Sequence, residues 1–329
     1  MANKQSFTAA STLPAKLIVD NDLTESIKKQ YIPPIHIQIN PTNKCPYACT
    51  FCSCGNRDLK QSYDYDKFKI MLDKFGLLGT KAVTITGGGD PLAYKYFSAL
   101  LHYIVNVKKM EAAMVTNGFM FPQFVNDKNL NKMTWCRISV YDEYPFRPEK
   151  IEETIQKCPD VDWAFSYVVT DKYDYTNLRK CLVFANQYKD RFSHVRVVSD
   201  IFNEKVELGD IQEKLEAEGI DTSMCIWQGR KDYGRGAKRC MISLMKPNID
   251  PEGKFMPCCG VQYAVDDDIR DFDGRLSMGN AFEGDTIEKI YEKQEYFDGS
   301  ICNKCFYSGY NNTLNALWDS GDLVHKNFV

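Results

Sequence analysis

The sequence predicts an α/β fold: a partial (β/α)6 TIM-like barrel followed by a small cysteine-rich α+β domain. Two observations carry that expectation. From residue 35 to about residue 222, short apolar, β-branched runs alternate with segments of helical spacing, the pattern of β/α units around a parallel sheet. Beyond that point the alternation gives way to Gly, Asp, Cys and turn signals. Six units are too few to close an eight-stranded barrel, so the barrel stays open, and the loops after the strand C-terminal ends form its functional face.

The expected strands are "IHIQIN" (35–40), "KAVTITGG" (81–88), "EAAMVTNG" (111–118), "WCRISVY" (135–141), "VDWAFSYVVT" (161–170) and "HVRVVSDI" (194–201). Helical spacing fills the gaps at 64–79, 94–109, 147–158, 177–190 and 207–219. In the tail, "DPEGKFMPC" reads as a hairpin whose turn is Asp-Pro-Glu-Gly, and "TIEKIYEKQEYF" (286–297) as a helix. The chain therefore divides into an N-terminal arm (1–34), the partial barrel (35–222) and the cysteine-rich unit (223–329).

A chain of 329 residues is long enough for a sizeable core. Its N-terminus lacks the apolar segment of a secretory signal, and no apolar run approaches the ~18 residues of a membrane span. A cytoplasmic protein is expected, in contact with no membrane. In a reducing compartment thirteen cysteines do not form a disulfide framework, and clustering points to metal or redox chemistry. A net charge of −3 argues against a surface coated for nucleic acid, although "WQGRKDYGRGAKRC" (227–240) is locally basic and "DDDIRDFDG" (266–274) acidic.

Four cysteines crowd into "CPYACTFCSC" (45–54), directly after the first strand. Cys45, Cys49 and Cys52 have C-x3-C-x2-C spacing. Structural zinc closes with four ligands, whereas three thiolates can hold three corners of a [4Fe–4S] cluster and leave one iron open. Only Ser53 separates Cys54 from Cys52, so Cys54 is expected to be a bystander.

"CPYACTFC" resembles the C-x3-C-x-Φ-C signature of the radical S-adenosylmethionine (radical SAM) superfamily, with Phe51 as the aromatic Φ. The resemblance implies that the open iron chelates the methionine moiety of SAM and that SAM is cleaved to a 5′-deoxyadenosyl radical, which abstracts a substrate hydrogen. It places Phe51 beside the adenine. "TITGGGDP" (84–91) is similar to the family's Gly-Gly-Glu-type segment, so Gly87, Gly88, Gly89 and Asp90 are expected at the SAM amino group, with Asp where Glu is usual. "VTNG" (115–118) and "RISV" (137–140) resemble the ends of the third and fourth strands, placing Thr116, Asn117 and Ser139 near SAM. "VDWAFSYVVT" departs from the family's G-x-I-x-G-x-x-E on strand five.

A second set comprises Cys240, Cys258, Cys259, Cys302 and Cys305. Cys240 to Cys258 reads C-x12-G-x4-C, and "CNKC" adds a C-x2-C pair. A zinc ribbon could use such spacing. Beside the first motif it resembles the auxiliary-cluster domains of the SPASM and shorter twitch types, implying one auxiliary [4Fe–4S] cluster on Cys240, Cys258, Cys302 and Cys305. Cys259 is an alternative to Cys258.

The expected activity is thus that of a radical SAM enzyme of oxidoreductase or isomerase type. It would carry out dehydrogenation, rearrangement or coupling on a small molecule or peptide, with flavodoxin or ferredoxin as electron donor. The arm before the first strand is too short for a leader-binding domain, which favours a small molecule. One alternative is modification of a nucleotide or nucleic-acid base, gripped by Arg230, Arg235 and Arg239 at the active-site mouth; another is a zinc-stabilised binding protein. Tyr63, Tyr65, Tyr141, Asp142 and Trp227 are further pocket candidates.

Overall fold

The computed structural model describes residues 12–170, 174–203, 206–229, 233–261 and 276–320. Two helices, α1 (Leu13–Val19) and α2 (Asn21–Lys28), precede the sheet. Then follow β1 (His36–Ile39), α3 (Tyr65–Leu77), β2 (Ala82–Ile85), α4 (Phe97–His102), β3 (Glu111–Thr116), α5 (Phe121–Phe124), β4 (Trp135–Val140), α6 (Glu149–Lys157), β5 (Asp162–Val169), α7 (Thr176–Gln187), β6 (Phe192–Ser199) and α8 (Gly209–Ala217). The C-terminal part contributes β7 (Cys225–Gln228), α9 (Ile242–Met245), β8 (Asn248–Ile249), β9 (Phe255–Met256), α10 (Thr286–Lys293) and α11 (Ser308–Trp318).

One sheet runs in the order β7-β6-β5-β4-β3-β2-β1-β8-β9. Every neighbouring pair is parallel except the β8–β9 hairpin. The expected partial α/β barrel is therefore present, with two additions. Strand β7 lies parallel to β6, so the alternation runs one strand past the expected limit of 222. On the other edge β8 pairs with β1 (Gln38↔Asn248), so the expected hairpin continues the barrel's own sheet. Its turn forms as the sequence predicts: the Gly253 N–H donates to the Asp250 carbonyl, Gly253 has φ of +87°, and Asp250 Oδ1 accepts from the amides of Glu252 and Lys254.

Local sequence explains the helices that pack on the sheet. Asp64 caps α3 by accepting from the amides of Asp66 and Lys67, and Phe68, Met71, Leu72 and Phe75 recur at helical spacing on its buried face. The 94–109 segment differs from the single expected helix: α4 ends at His102 and a π-helical turn covers Tyr103–Val107. That wider turn lets Tyr103 donate to Asp73 (2.8 Å), which Lys108 also reaches at 2.9 Å. Helix α11, which the sequence reading does not predict, packs on α2 and α1, and its buried positions mix polar with apolar: Leu314 is fully buried, and so is Asn311, which accepts from the Ile242 amide.

The strands face two ways. Ile37 and Ile39 of β1, Val83 and Ile85 of β2, and Cys136, Ile138 and Val140 of β4 are buried under the helices. The alternate positions are His36, Gln38 and Asn40, then Ala82, Thr84 and Thr86, then Trp135, Arg137 and Ser139, and these line an internal cavity of about 840 Å³. A packed barrel fills such positions with branched apolar side chains; here they are mostly polar. Helix α1 closes one end, where Leu13 and Lys16 meet the cavity beside Lys81 and Glu111 at the strand N-terminal ends.

The C-terminal part is joined to the barrel through Phe75, fully buried, whose ring lies 6.0 Å from Phe255 and 6.3 Å from Tyr291. Removing that ring leaves a cavity the surrounding side chains fill only in part. Phe75→Ala should lower stability to urea by roughly 3–5 kcal/mol; a loss under ~1 kcal/mol would show that the joint does not hold the two parts together.

Candidate functional site

The cysteine loop, the glycine run and the ends of β3 and β4 meet at one end of the cavity, where Cys45, Cys49, Cys52, Phe51, Gly87, Gly88, Gly89, Asp90, Thr116, Asn117 and Ser139 are all on the wall. The glycines are required by the loop itself. A Cβ on Gly89 would lie 2.0 Å from the Lys44 carbonyl oxygen, and one on Gly88 would lie 2.0 Å from Asn43 Oδ1. This approach permits two amide bonds, Gly89 N–H to the Thr42 carbonyl (3.0 Å) and Asp90 N–H to the Lys44 carbonyl (2.8 Å).

Asp90 does more than the sequence suggests, and does it inward. It is only 3% exposed, and its carboxylate accepts from the Leu92 amide (3.0 Å), the Thr116 hydroxyl (2.8 Å) and the Asn117 amide (2.7 Å). Burial raises its pKa, and these donors oppose the shift. The carboxylate therefore ties the β2 loop to the β3 end, and Asp90 and the glycine run together line the cavity there.

Each cysteine of the triad receives a hydrogen bond from a different direction. Cys45 Sγ accepts from the Tyr47 amide (3.5 Å) and from Asn117 Nδ2 (3.6 Å). Cys49 accepts from the Tyr141 hydroxyl, and Cys52 from Arg57 Nη1 at 3.4 Å. Arg57 is held by the Asn43 and Cys54 carbonyls at 2.9 and 2.7 Å. Burial raises the Cys45 thiol and pushes Cys49 up to about 12, so a cation that took these ligands would displace protons from both. Cys54 is buried beneath the loop, 4.0 Å from the Gly87 carbonyl.

Residues 141–144, after β4, clamp the loop from above. The Tyr144 hydroxyl oxygen accepts the Ala48 N–H at 2.9 Å, and Glu143 accepts the Thr50 amide at 3.0 Å. Tyr47 stacks on Tyr144 (4.1 Å between centroids), and Phe51 meets Tyr141 edge-on at 5.1 Å. Arg57 and Glu143 were not legible from spacing, because they act across the loop's tertiary contacts. Of the other pocket candidates, Tyr141 alone is on the cavity wall. Tyr63 and Tyr65 bond the carbonyls of Ile249 and Ala99, and Asp142 accepts from Tyr167 and the Asn177 amide.

The second cysteine set divides. Cys240, Cys258, Cys302 and Cys305 line one small cavity, whereas Cys259 faces the large one, 3.4 Å from the Tyr307 hydroxyl. Asn311 Nδ2 lies 3.7 Å from Cys240 Sγ, and the Gly260 amide donates to Cys258 Sγ at 3.3 Å. Gly236 abuts this cavity, where a Cβ would meet the Gly299 carbonyl oxygen at 1.9 Å. Among the described residues, no group of three or more His, Cys, Asp or Glu is drawn together tightly enough to hold a single metal ion.

The described part of the basic run, 233–240, is occupied elsewhere. Gly234 pairs with Cys305, and Arg239 forms an ion pair with Asp319 at the end of α11. Arg235 and Arg239 are absent from the cavity wall; Arg230 and the acidic run 266–274 lie outside the described residues. Among the described residues no helix is long and apolar enough to cross a membrane.

Two consequences are measurable. Asp90→Ala leaves two amides and a hydroxyl without their acceptor and should cost roughly 3 kcal/mol in urea unfolding, with Asp90→Asn milder; an unchanged midpoint would remove the carboxylate from its tying role. Buried His194 on β6 is pushed down to about 3 by burial, with the positive charges of Arg137 and Arg196 adding to it. Its folded pKa lies below the unfolded value of about 6.5. The native protein therefore binds fewer protons between those values, and stability present above about pH 6.5 is lost as pH falls towards 3. His194→Asn should flatten the fall in Tm between about pH 6.5 and 4; an unchanged slope would refute this.

No curated protein matches the sequence. The fold is similar to crystal structures of SuiB from Streptococcus suis. The structure bound to precursor peptide SuiA has a TM-score of 0.59 and 17% identity over 89% of this chain and 72% of SuiB. That bound to S-adenosylmethionine has a TM-score of 0.54 and 15% identity over 86% of this chain and 72% of SuiB. Residues 39–133, which contain the cysteine loop, the glycine run and the Thr116–Asn117 strand end, match the Radical SAM superfamily.

Proposed function

We propose that this chain is a radical SAM enzyme, with SAM and a [4Fe–4S] cluster on Cys45, Cys49 and Cys52 at one end of the barrel cavity and an auxiliary [4Fe–4S] cluster on Cys240, Cys258, Cys302 and Cys305. The observation that carries the reading is the donor set: three clustered cysteines, each already hydrogen-bonded through sulfur, on the wall of a cavity large enough for more than a single small ligand. When bound, these groups supply a 5′-deoxyadenosyl radical that abstracts a substrate hydrogen, together with an outer-sphere electron carrier.

The chain's own residues bind, orient and shield. Arg57, Asn117, Tyr141 and the Tyr47 amide bring N–H and O–H groups to the thiolates, which stabilises negative charge on sulfur. The glycine run offers bare backbone to the SAM amino group, while Thr116, Asn117 and Ser139 stand at the strand ends beside it. Tyr47, Phe51 and Tyr141 form an aromatic wall that keeps water from the reacting atoms. Cys54 is a packing residue, and Cys258 rather than Cys259 is the auxiliary ligand.

The substrate is a small molecule or a peptide, and the reaction a dehydrogenation, rearrangement or coupling with flavodoxin or ferredoxin as donor. Support for a peptide comes from the SuiB structure bound to its precursor peptide. In the nucleic-acid alternative Arg239 would contribute less, since it is paired with Asp319.

Anaerobic reconstitution, reduction and incubation with SAM should release 5′-deoxyadenosine; its absence from protein with assembled clusters refutes the reading. Cys49→Ser should lose about half of the bound iron and sulfide while retaining the auxiliary half. Arg57→Leu removes a positive N–H donor from Cys52 and should move the reduction potential of the first cluster downwards in an EPR-monitored titration. An unchanged potential would deny Arg57 that role.

A further inference from the structure

Where β1 meets β8, the cavity wall carries three primary amides side by side. Gln38 and Asn248 are register partners in that parallel pair, and Asn40 lies two residues beyond Gln38 on the same face. The Asn40 backbone N–H donates to the Ile249 carbonyl at 2.9 Å, and the Gln38 N–H to the Pro247 carbonyl at 2.9 Å. All three side chains therefore stand on one hydrogen-bonded ladder, and all three line the cavity. Neighbouring strands lie about 4.8 Å apart and alternate residues of one strand about 6.6 Å apart, which sets the spacing of the group.

Each of the three is buried and unsatisfied. Gln38, Asn40 and Asn248 are 8%, 5% and 2% exposed. Gln38 Oε1, Asn40 Oδ1 and Asn248 Oδ1 have no hydrogen-bond partner among the described residues. Polar neighbours are committed elsewhere: Thr84, opposite Gln38 on β2, is bonded through Oγ1 to His36 Nε2 at 2.8 Å, and Lys246 donates to the Tyr307 hydroxyl at 3.4 Å. A buried amide oxygen without a donor costs stability. One such atom is a packing defect; three on adjoining positions of a cavity wall form a recognition surface.

The ligand's chemistry follows from these groups. An amide oxygen accepts, so its partner is an O–H or an N–H. A buried ammonium would need a counter-charge. Of the wall's carboxylates, Asp20, Asp90 and Asp200 each accept from a backbone amide, and Glu111 acts on Lys16. Burial lowers the pKa of His36, on the same face of β1, and the positive charges of Lys246 and Lys16 add to it. A neutral donor fits this wall better than a cation. We propose that Gln38, Asn40 and Asn248 form a substrate subsite for neutral hydrogen-bond donors, either the hydroxyls of a polyol or the amide N–H groups of a peptide. This rests on the cavity being the shared site of SAM and substrate.

The test is a ligand-observed NMR titration of the cluster-loaded protein with SAM present, using myo-inositol, N-acetylglycinamide and ethanolamine as separate probes. A neutral probe should bind saturably and more tightly than ethanolamine, and which one binds separates a hydroxylated from a peptide substrate. Gln38→Met and Asn248→Leu keep the volume and remove the acceptor. Each should weaken that binding about fivefold or more and leave the Kd for SAM unchanged. Without any probe, both variants should keep or raise the urea midpoint, because an unsatisfied buried amide has been removed. The proposal is overturned if neither neutral probe binds, if ethanolamine binds best, or if the variants bind as the wild type does. It is equally overturned if the Kd for SAM rises in parallel, since the amides would then serve the cosubstrate, or if both variants unfold at lower urea, since the amides would then be structural. Saturable binding of a neutral probe by protein that releases no 5′-deoxyadenosine would refute the catalytic reading and leave the subsite standing.

Discussion

The buried carboxylate of Asp90 is the constraint on which the site depends. Taking a charge out of water is expensive unless hydrogen bonds replace the solvent, and three donors from two strand ends do so here. With the Asp90 and Gly89 amides bonded back to the cysteine loop, one residue fixes the spacing between the ends of β1, β2 and β3. The glycine run follows from the same geometry, since any side chain there would strike the loop. Backbone bonds and this one carboxylate set the spacing of the strand ends, and the side chains of Arg57, Glu143 and Tyr144 hold the cysteine loop onto them.

From that anchor the rest is supported outwards. Tyr141, Glu143 and Tyr144 reach back from β4 onto the loop, so four consecutive strands contribute to one end of the cavity. The inward positions of the strands are polar, so the barrel interior is room for ligands instead of packed core. The large apolar side chains lie on the opposite faces, under the helices, where stability is gained without filling the cavity.

Much of this was legible in the sequence. The strands, the helix read at 64–79 and the Asp250–Gly253 turn follow from local rules, and the cysteine triad and glycine run follow from spacing. Period-two alternation in "IHIQIN" and "RISV" already put His36, Gln38, Arg137 and Ser139 on one face, a signal for a polar interior that strand propensity alone obscures. Other features were not legible. Tyr63 and Asp142 look like pocket residues from their positions at strand ends and prove to be packing and capping groups. The run 227–240 looks like a phosphate grip, yet Arg239 is paired with Asp319 eighty residues later.

The sequence by itself determined the β/α alternation and the cysteine spacings, because hydrophobic period and ligand separation are properties of a few consecutive residues. Only the tertiary structure decided which way each residue works. Asp90 turns inward to tie strand ends, Cys258 and Cys259 face different cavities, and Glu143 and Tyr144 reach back onto a loop about ninety residues earlier. The physical reason is that burial and hydrogen-bond competition are set by which strands become neighbours, and that information is spread over the whole chain.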